Sequence, residues 1–357
     1  MMRAACLLVA ACALASGCDP APALDWDDPR TVGTEPSPVP PDAESVVFAV
    51  LGDMGEAGVP QEQVAESVAQ ECVDAGCQFA VMLGDNLYDA GLDGTVATEN
   101  RLRALLDMYP AFPKFLVLGN HDWDAVRSQL PRAQRQLDWI AQQEDVFGAF
   151  HYYDVRAGPA HLWGLDSNWI VRHLGDERTP ALAQWGASIG SGDAPWVFAF
   201  GHHPLLSNGT HGNAGSYLDR GARLWDGQGF RAFLERHVVG QADVYMAGHD
   251  HNLNFFPGAG AGAGDGTASL VSGAAAKCRP VGSAAMNPGD GEVGSGVTAT
   301  YEHYGYGFAI VTATRTELSV TMHPLDGRSW TTRRTVDDDR WTIDGGEPSV
   351  DRESHCE

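Results

Sequence analysis

The chain has 357 residues, of which 44% are hydrophobic, so it can bury a sizeable core and is unlike a disordered protein. Its 47 acidic residues outnumber 23 Lys and Arg, for a formal net charge of −24. This charge argues against nucleic acid as a partner, because phosphate backbones are bound by Lys and Arg. An anionic substrate would need a local positive charge, such as a bound metal ion.

The first 18 residues predict a lipoprotein-type signal peptide. Arg3 precedes the apolar stretch "AACLLVAACALASG", which is too short to span a bilayer comfortably. The stretch ends in "LASGC", which resembles a bacterial lipobox with cleavage before Cys18 and a lipid on its sulfur. An ordinary signal peptide with a nearby cleavage site is the alternative. We expect an exported bacterial lipoprotein, membrane-anchored through Cys18 in the periplasm or at the cell surface.

Composition divides the rest of the chain. Residues 19–44 are rich in Pro and acid without an apolar period, and predict a flexible tether. Residues 45–335 carry the strand and helix patterns of one domain, and residues 336–357 form an acidic tail without a strong pattern.

Four cysteines remain after the lipidated one, and an exported chain can form disulfides. Cys72 and Cys77 flank the end of a predicted helix and could pair locally. Cys278 and Cys356 would then form the other bridge. The sequence alone leaves this connectivity open.

The pattern of the domain is α/β. Apolar runs predict buried strands at "VVFAVLGD", "FAVMLGDN", "KFLVLGNHD", "WVFAFGHHP" and "DVYMAGHDH", with helices at "PQEQVAESVAQECVDAG", "TENRLRALLDMYP" and "GFRAFLERHV". "HYYDVRAGPAHLWGLDS" predicts a hairpin, and "PGAGAGAGDG" a flexible loop. "SLVSGAA", "YGFAIVTAT" and "ELSVTMHPL" alternate as antiparallel strands do.

Five of these strands run into Gly followed by Asp, Asn or His. Sheets of this class gather their ligands at the carboxyl ends of strands, and the glycine permits a sharp turn there. If the last segment is extended, His249 and His251 face one way and Asp250 points elsewhere. Oxygen donors mixed with imidazole suit Fe, Mn or Zn, and there are too many for one tetrahedral zinc. We therefore predict a two-metal site from these side chains: Asp53, Asp85, Asn120, His121, His202, His249 and His251.

The motifs "GDMG", "GDNLY", "GNHD", "GHHP" and "GHDHN" resemble, in order and spacing, those of the calcineurin-like metallophosphoesterases. The chain is most similar to the purple, tartrate-resistant acid phosphatases, over about residues 46–334. The resemblance implies an α/β fold, a β-sandwich of two mixed sheets flanked by helices in αββα layers. It also implies a dinuclear centre of Fe(III) and a divalent ion (Fe, Zn or Mn), with these ligands: Asp53, Tyr88 and His251 on Fe(III), Asp85 bridging, and Asn120, His202 and His249 on the divalent ion.

Tyr88 distinguishes the subfamily. Many relatives carry Gly-Asp-x-His at the first motif, whereas "GDMGEAG" lacks that histidine, and Tyr88 would take its place. A free tyrosine has a pKa of ~10, but a trivalent cation can hold it deprotonated. The alternative is that Tyr88 packs in the core.

The resemblance implies hydrolysis of small phosphomonoesters by a metal-bound hydroxide, as in an acid phosphatase. His121 and His211 would face the substrate and bind phosphate or protonate the leaving oxygen. His203 is expected to be a packing or rim residue, and His173 and His237 to face solvent. One alternative is a phosphodiesterase of the same superfamily with two divalent ions. Another is a non-catalytic surface lipoprotein on this fold.

Overall fold

A computed structural model of the chain describes residues 28, 31–125, 129–172, 180–215, 227–258, 266–280, 292–293 and 297–356. The predicted signal peptide, residues 19–27, 29 and 30 of the predicted tether, His173 and residues 259–265 of the predicted flexible loop lie outside these ranges. None of the helices in the described part has the length and apolar content that a membrane span requires.

Two mixed sheets dominate the fold, with strands numbered in chain order. In spatial order, the first contains β18 (Asp338–Ile343), β17 (Trp330–Thr335), β16 (Glu317–Pro324), β15 (Gly307–Thr314), β2 (Ser45–Leu51), β3 (Phe79–Met82), β4 (Lys114–Leu116) and β5 (Val146–Phe147). The second contains β1 (Val32–Thr34), β6 (Tyr152–Ala157), β7 (Ala160–Leu165), β8 (Trp196–Gly201), β9 (Val244–Ala247), β11 (Ala268–Ser272), β10 (Leu253–Phe256), β14 (Tyr301–Gly305) and β19 (Ser349–His355). The short strands β12 (Glu292–Val293) and β13 (Val297–Thr298) pair with each other.

The sheets pack face to face because alternate side chains of each strand point to opposite faces. In β2, Val46, Phe48 and Val50 belong to the core between the sheets. Ala49 and Leu51 belong to a second core on the outer face of the first sheet.

Six helices cover the outer faces in the described part of the chain. Side chains of α1 (Val59–Ala75) and α2 (Val96–Leu106) pack on the first sheet. Those of α4 (Ser167–Arg172), α5 (Pro180–Gly186) and α6 (Gly227–His237) pack on the second, and α3 (Leu130–Ile140) contributes to both outer cores. The predicted αββα arrangement is confirmed.

The parallel strands point their carboxyl ends towards one edge. Strands β2, β3 and β4 are parallel neighbours in one sheet, and β7, β8 and β9 in the other.

The expectation of antiparallel strands after the last histidines needs one correction, since β11 pairs parallel with β9. The turn after β9 reverses the chain and leaves a one-strand gap before β10, which β11 fills.

Both boundaries of the predicted domain also need correction. Strand β1, within the predicted tether, pairs with β6, and β18 and β19, within the predicted acidic tail, pair with β17 and β14. The tail is ordered because Trp341 and Ile343 pack against the core between the sheets.

The structure contains the bridges Cys72–Cys77 and Cys278–Cys356, so the pairing considered from the sequence is confirmed.

Candidate metal centre

The strand ends form strained turns at the shared edge of the sheets. Asp53, Asp85 and His249 have φ of 61°, 52° and 68°, a region that residues other than glycine rarely adopt. The neighbouring glycines allow the turns to approach closely. A Cβ on Gly119 would lie 2.2 Å from Asp85 Oδ1, and one on Gly248 would lie 2.5 Å from Asp53 Oδ2. These glycines therefore let the two carboxylates enter one site.

Three side chains form what we call the first donor set: Asp53, Tyr88 and His251. The Tyr88 hydroxyl donates to Asp53 Oδ1 at 2.9 Å. His251 Nε2 lies 3.3 Å from the same carboxylate oxygen and 3.4 Å from Tyr88 Oη. All three side chains are buried.

The second donor set consists of Asn120, His202 and His249. His202 Nε2 lies 3.0 Å from Asn120 Oδ1 and 3.1 Å from His249 Nδ1. His202 Nδ1 donates to the carbonyl of Leu83 at 2.9 Å. This bond fixes the tautomer of His202 and leaves a lone pair on Nε2.

Asp85 lies between the two sets. Its Oδ1 is 3.4 Å from His202 Nε2, and the charge of its carboxylate helps to raise the pKa of Tyr88. The same Oδ1 accepts a bond from the His121 backbone N–H at 2.8 Å. Donor atoms of Asp53, Asp85 and His202 all lie within 4.8 Å of one another.

The donor sets fit a pair of cations. Ligand atoms bound to one ion at roughly 2.0–2.2 Å lie about 3 Å apart, and the contacts within the sets run from 2.9 to 3.4 Å. Mixed carboxylate, phenol, amide and imidazole donors suit iron, manganese or zinc. Buried carboxylates are also costly unless a positive charge compensates them.

Electrostatics within the centre follow burial and neighbouring charge. Burial acts to raise the pKa of Asp53, but the hydrogen bond and charge of His251 and the charge of His202 lower it below its usual value. Burial, and then the nearby histidines, hold the pKa of His249 well below its usual value. Burial, and then the charges of Asp53 and Asp85, raise the pKa of Tyr88 well above its usual value. The phenol therefore needs a strong local cation to lose its proton.

His121 and His211 border the centre. His121 Nδ1 donates to the Asp89 carbonyl at 2.6 Å, and its Nε2 lies 3.9 Å from Asp85 Oδ2. The His211 ring stacks on His249 with centroids 4.1 Å apart. The structure thus places both predicted catalytic histidines beside the donor sets.

Asp250 supports the second of these histidines. Its carboxylate accepts the backbone N–H groups of His211 at 2.7 Å and Gly212 at 3.1 Å. Ser207 Oγ donates to it at 2.5 Å. Asp250 thereby points away from the donor sets, as expected, and fixes the loop that carries His211.

The backbone conformation that positions His249 and His251 differs from the predicted one. They do not lie on an extended segment, because His249 has a positive φ in the turn after β9. The turn sends His249 to the second donor set and His251 to the first.

Of the predictions made for His203 and His237, the first is confirmed and the second is wrong. His203 is a buried packing residue, as expected, with Nδ1 2.9 Å from Ser167 Oγ. His237, expected to face solvent, is buried with its ring against Phe233. It continues the buried stripe of α6 that starts at Phe230, seven residues earlier, so helical spacing would have indicated its burial.

Two cations near the centre escaped the sequence reasoning. Arg279 Nη1 donates to His211 Nε2 at 2.7 Å, and Lys277 Nζ lies 4.0 Å from the centre of the Tyr88 ring while pairing with Glu56. With His251 they line a cavity of about 380 Å³. A signal was present, because they are the only Lys and Arg between residues 236 and 315.

Comparison with known proteins identifies the family. The family model described as calcineurin-like phosphoesterase matches residues 46–253, more than half of the chain. The chain belongs to this family. The match contains the whole of both donor sets, so the family assignment and the site geometry concern the same residues.

Purple acid phosphatases are among the curated relatives. Purple acid phosphatase 4 of Arabidopsis thaliana is 27% identical over 323 residues, covering 83% of this chain and 86% of its own length. Tartrate-resistant acid phosphatase type 5 of Mus musculus is 23% identical over 277 residues, covering 70% and 76%. These relatives support phosphoester hydrolysis.

Solved structures share the fold. Purple acid phosphatase PPD1 of yellow lupin (Lupinus luteus) has a TM-score of 0.58 at 19% identity, covering 83% of this chain and 55% of its own. GAP50 of Plasmodium, described as the anchor in the inner membrane complex, has a TM-score of 0.60 at 17% identity, covering 87% and 92%.

Proposed function

We propose that the protein is a phosphomonoester hydrolase of the acid phosphatase type with a dinuclear centre of Fe(III) and a divalent ion (Fe, Zn or Mn). The observation that carries this proposal is the position of Tyr88, whose oxygen lies within the first donor set beside Asp53 and His251. A tyrosine there suits a trivalent ion, because its anionic form balances the additional positive charge. The first donor set would hold Fe(III), the second the divalent ion, and Asp85 would bridge them.

The bound ions would supply an activated water and positive charge for the phosphoryl group. Around them, His121 is suited to be the proton donor for the leaving oxygen. Its Nδ1 donates to the Asp89 carbonyl, so Nε2 is the ring nitrogen that faces the substrate, and it carries a proton to donate when the ring is in the imidazolium form.

His211 and Arg279 are suited to bind the phosphate. Arg279 donates to His211 Nε2, so that nitrogen acts as an acceptor. Burial, and with it the charge of Arg279, lowers the pKa of His211 despite the opposing charge of Asp250. Since His211 Nε2 already accepts this bond, it is not placed to donate a proton, whereas the guanidinium offers several donors to phosphate oxygens.

Replacement of Asp85 by Asn tests this function. The neutral amide bridges two cations poorly, so we expect loss of bound metal and a loss of p-nitrophenyl phosphate hydrolysis by at least about a hundred-fold. The control is Asp74→Asn, which removes an exposed carboxylate on α1 and should leave both unchanged.

Full activity of the Asp85→Asn protein would overturn the assignment. The same assay with bis(p-nitrophenyl) phosphate separates the two kinds of phosphoesterase. Faster hydrolysis of this diester than of the monoester would instead support a phosphodiesterase.

We also propose that small phosphomonoesters reach the enzyme outside the cytoplasm, where a lipid on Cys18 anchors it to a membrane. The "LASGC" motif supports this location. The excess of acidic residues supports the exclusion of nucleic acid as a substrate.

A further inference from the structure

A second group of metal-ligand side chains lies outside the proposed active site. It contains His303 on β14 and Asp351 and His355 on β19, whose donor atoms all lie within 4.8 Å of one another. We propose that these three residues bind a structural divalent transition-metal ion, with zinc as the best match.

The backbone is shaped to bring these residues together. Residues four apart in a regular strand are separated by roughly 13 Å, but the pairing of β14 with β19 shifts register between Glu302 and Tyr304. Two residues of β14 there span four of β19, so the chain bulges outward between Val350 and Ser354. His355 Nε2 consequently lies 2.9 Å from Asp351 Oδ2.

His303 supplies the third donor from the neighbouring strand. Its ring stacks on His355 with centroids 5.0 Å apart and an interplanar angle of 8°. Gly305, opposite His355, allows this approach, since a Cβ there would lie 2.4 Å from His303 Nε2. Only 4% of His303 is exposed, and among the described residues its ring nitrogens form no hydrogen bond. Because this imidazole also lines a cavity, its nitrogens are open to a ligand from solvent.

Solvent ions can reach the group. His303 and His355 line a cavity of about 710 Å³, together with Asp326. Two imidazoles and a carboxylate match a zinc site with three protein ligands and water in the fourth position, whereas calcium prefers nearly all-oxygen ligands. The donor atoms lie at most 4.8 Å apart, so the longest separation needs to shorten by no more than about 1.5 Å to match two ligands of one zinc ion.

The ion would tie the last strand to the sheet. Cys356, directly after His355, is bonded to Cys278, which lies between Lys277 and Arg279. The disulfide therefore links the proposed zinc site covalently to the segment of Lys277 and Arg279, which lies beside the proposed active centre. We expect a structural role, because the three ligands hold β14 and β19 together.

Zinc stoichiometry tests the proposal. The full protein and three variants are stripped with chelator, reloaded with zinc, freed of unbound ions and measured by mass spectrometry. Asp351→Asn and His355→Gln change partly exposed ligands, and Glu353→Gln is the matched control, an exposed carboxylate on the same strand. Circular dichroism checks that each variant is folded.

We expect Asp351→Asn and His355→Gln to hold one zinc fewer than the wild type and Glu353→Gln. This difference of one ion does not depend on how many ions the proposed active centre holds. Zinc should also raise the Tm of the wild type more than that of the two ligand variants. Equal stoichiometry in all four proteins, or loss of the ion in Glu353→Gln as well, would overturn the proposal.

Discussion

Asp53 and Asp85 are buried in one site, and neither has a Lys or Arg partner within the described residues. Their nearest partners are histidines and Tyr88. A buried charge without adequate compensation costs several kcal/mol, and the positive φ of both residues adds backbone strain. Such a combination is typical of a site shaped for a ligand, and bound cations would offset both costs.

A testable prediction for a single residue concerns Arg279. Replacement by Gln should raise the KM for p-nitrophenyl phosphate and the inhibition constant of inorganic phosphate by about ten-fold, because a charge-assisted hydrogen bond is lost. We expect a smaller change in kcat. Arg340→Gln is the control, since Arg340 is exposed and pairs with Asp338 on β18. An unchanged inhibition constant in Arg279→Gln would show that this residue does not contact phosphate.

Most of the candidate site was predictable from residue types and their spacing. The strand ends supplied the aspartates and histidines because each followed an apolar run and a glycine. Lys277 and Arg279 follow no motif. Their isolation from other Lys and Arg residues is visible in the sequence, but only the fold brings them to Tyr88 and His211. The turn at His249 was likewise unpredictable, since its φ depends on contacts with Asp53.

Among the elements, the central strands were the most predictable. Continuous apolar runs such as those of β2, β3 and β8 are buried on both faces and stand out in any context. The edge strands β1 and β19 are short or charged, and long-range pairing decides their formation. The tail was therefore predicted as irregular although it completes the second sheet.

The two disulfides close loops of very different length and should therefore differ in their contribution to stability. Cys72 and Cys77 are 5 residues apart, whereas Cys278 and Cys356 are 78 residues apart. In the chain-entropy model, the short loop contributes about 2 kcal/mol and the long loop about 4.5 kcal/mol.

Urea unfolding of the two double-alanine variants, in chelator, measures this difference. We expect the Cys278/Cys356 variant to lose roughly twice as much free energy of unfolding. The opposite order would show that loop length does not govern the effect.

For the whole molecule, the two sheets jointly build the centre. The first donor set combines Asp53 and Tyr88, which follow strands of the first sheet, with His251, which follows β9 of the second. The second donor set combines Asn120, which follows β4 of the first sheet, with His202 and His249, which follow β8 and β9 of the second. Binding of both ions should therefore stabilise the packing of the sheets against each other. The net charge of −24 makes this local positive charge necessary for any phosphate substrate.

The proposed membrane anchoring is also tested on the whole molecule. Cys18→Ser should move the protein from the membrane fraction to the soluble exported fraction, because the lipid attachment atom is lost. Immunoblots of fractionated cells check this outcome, with activity of the released protein unchanged. Membrane retention of Cys18→Ser would argue against lipid anchoring at this residue.

The central claim is that Tyr88 binds Fe(III) in a dinuclear phosphatase centre. It is tested most directly by the visible spectrum of the purified protein, measured with its metal content, before and after Tyr88→Phe. We predict a purple, iron-containing wild type, from tyrosinate-to-iron charge transfer, and a colourless Tyr88→Phe protein. A wild type without iron that is active with two divalent ions, or a purple colour that survives in Tyr88→Phe, would contradict the claim.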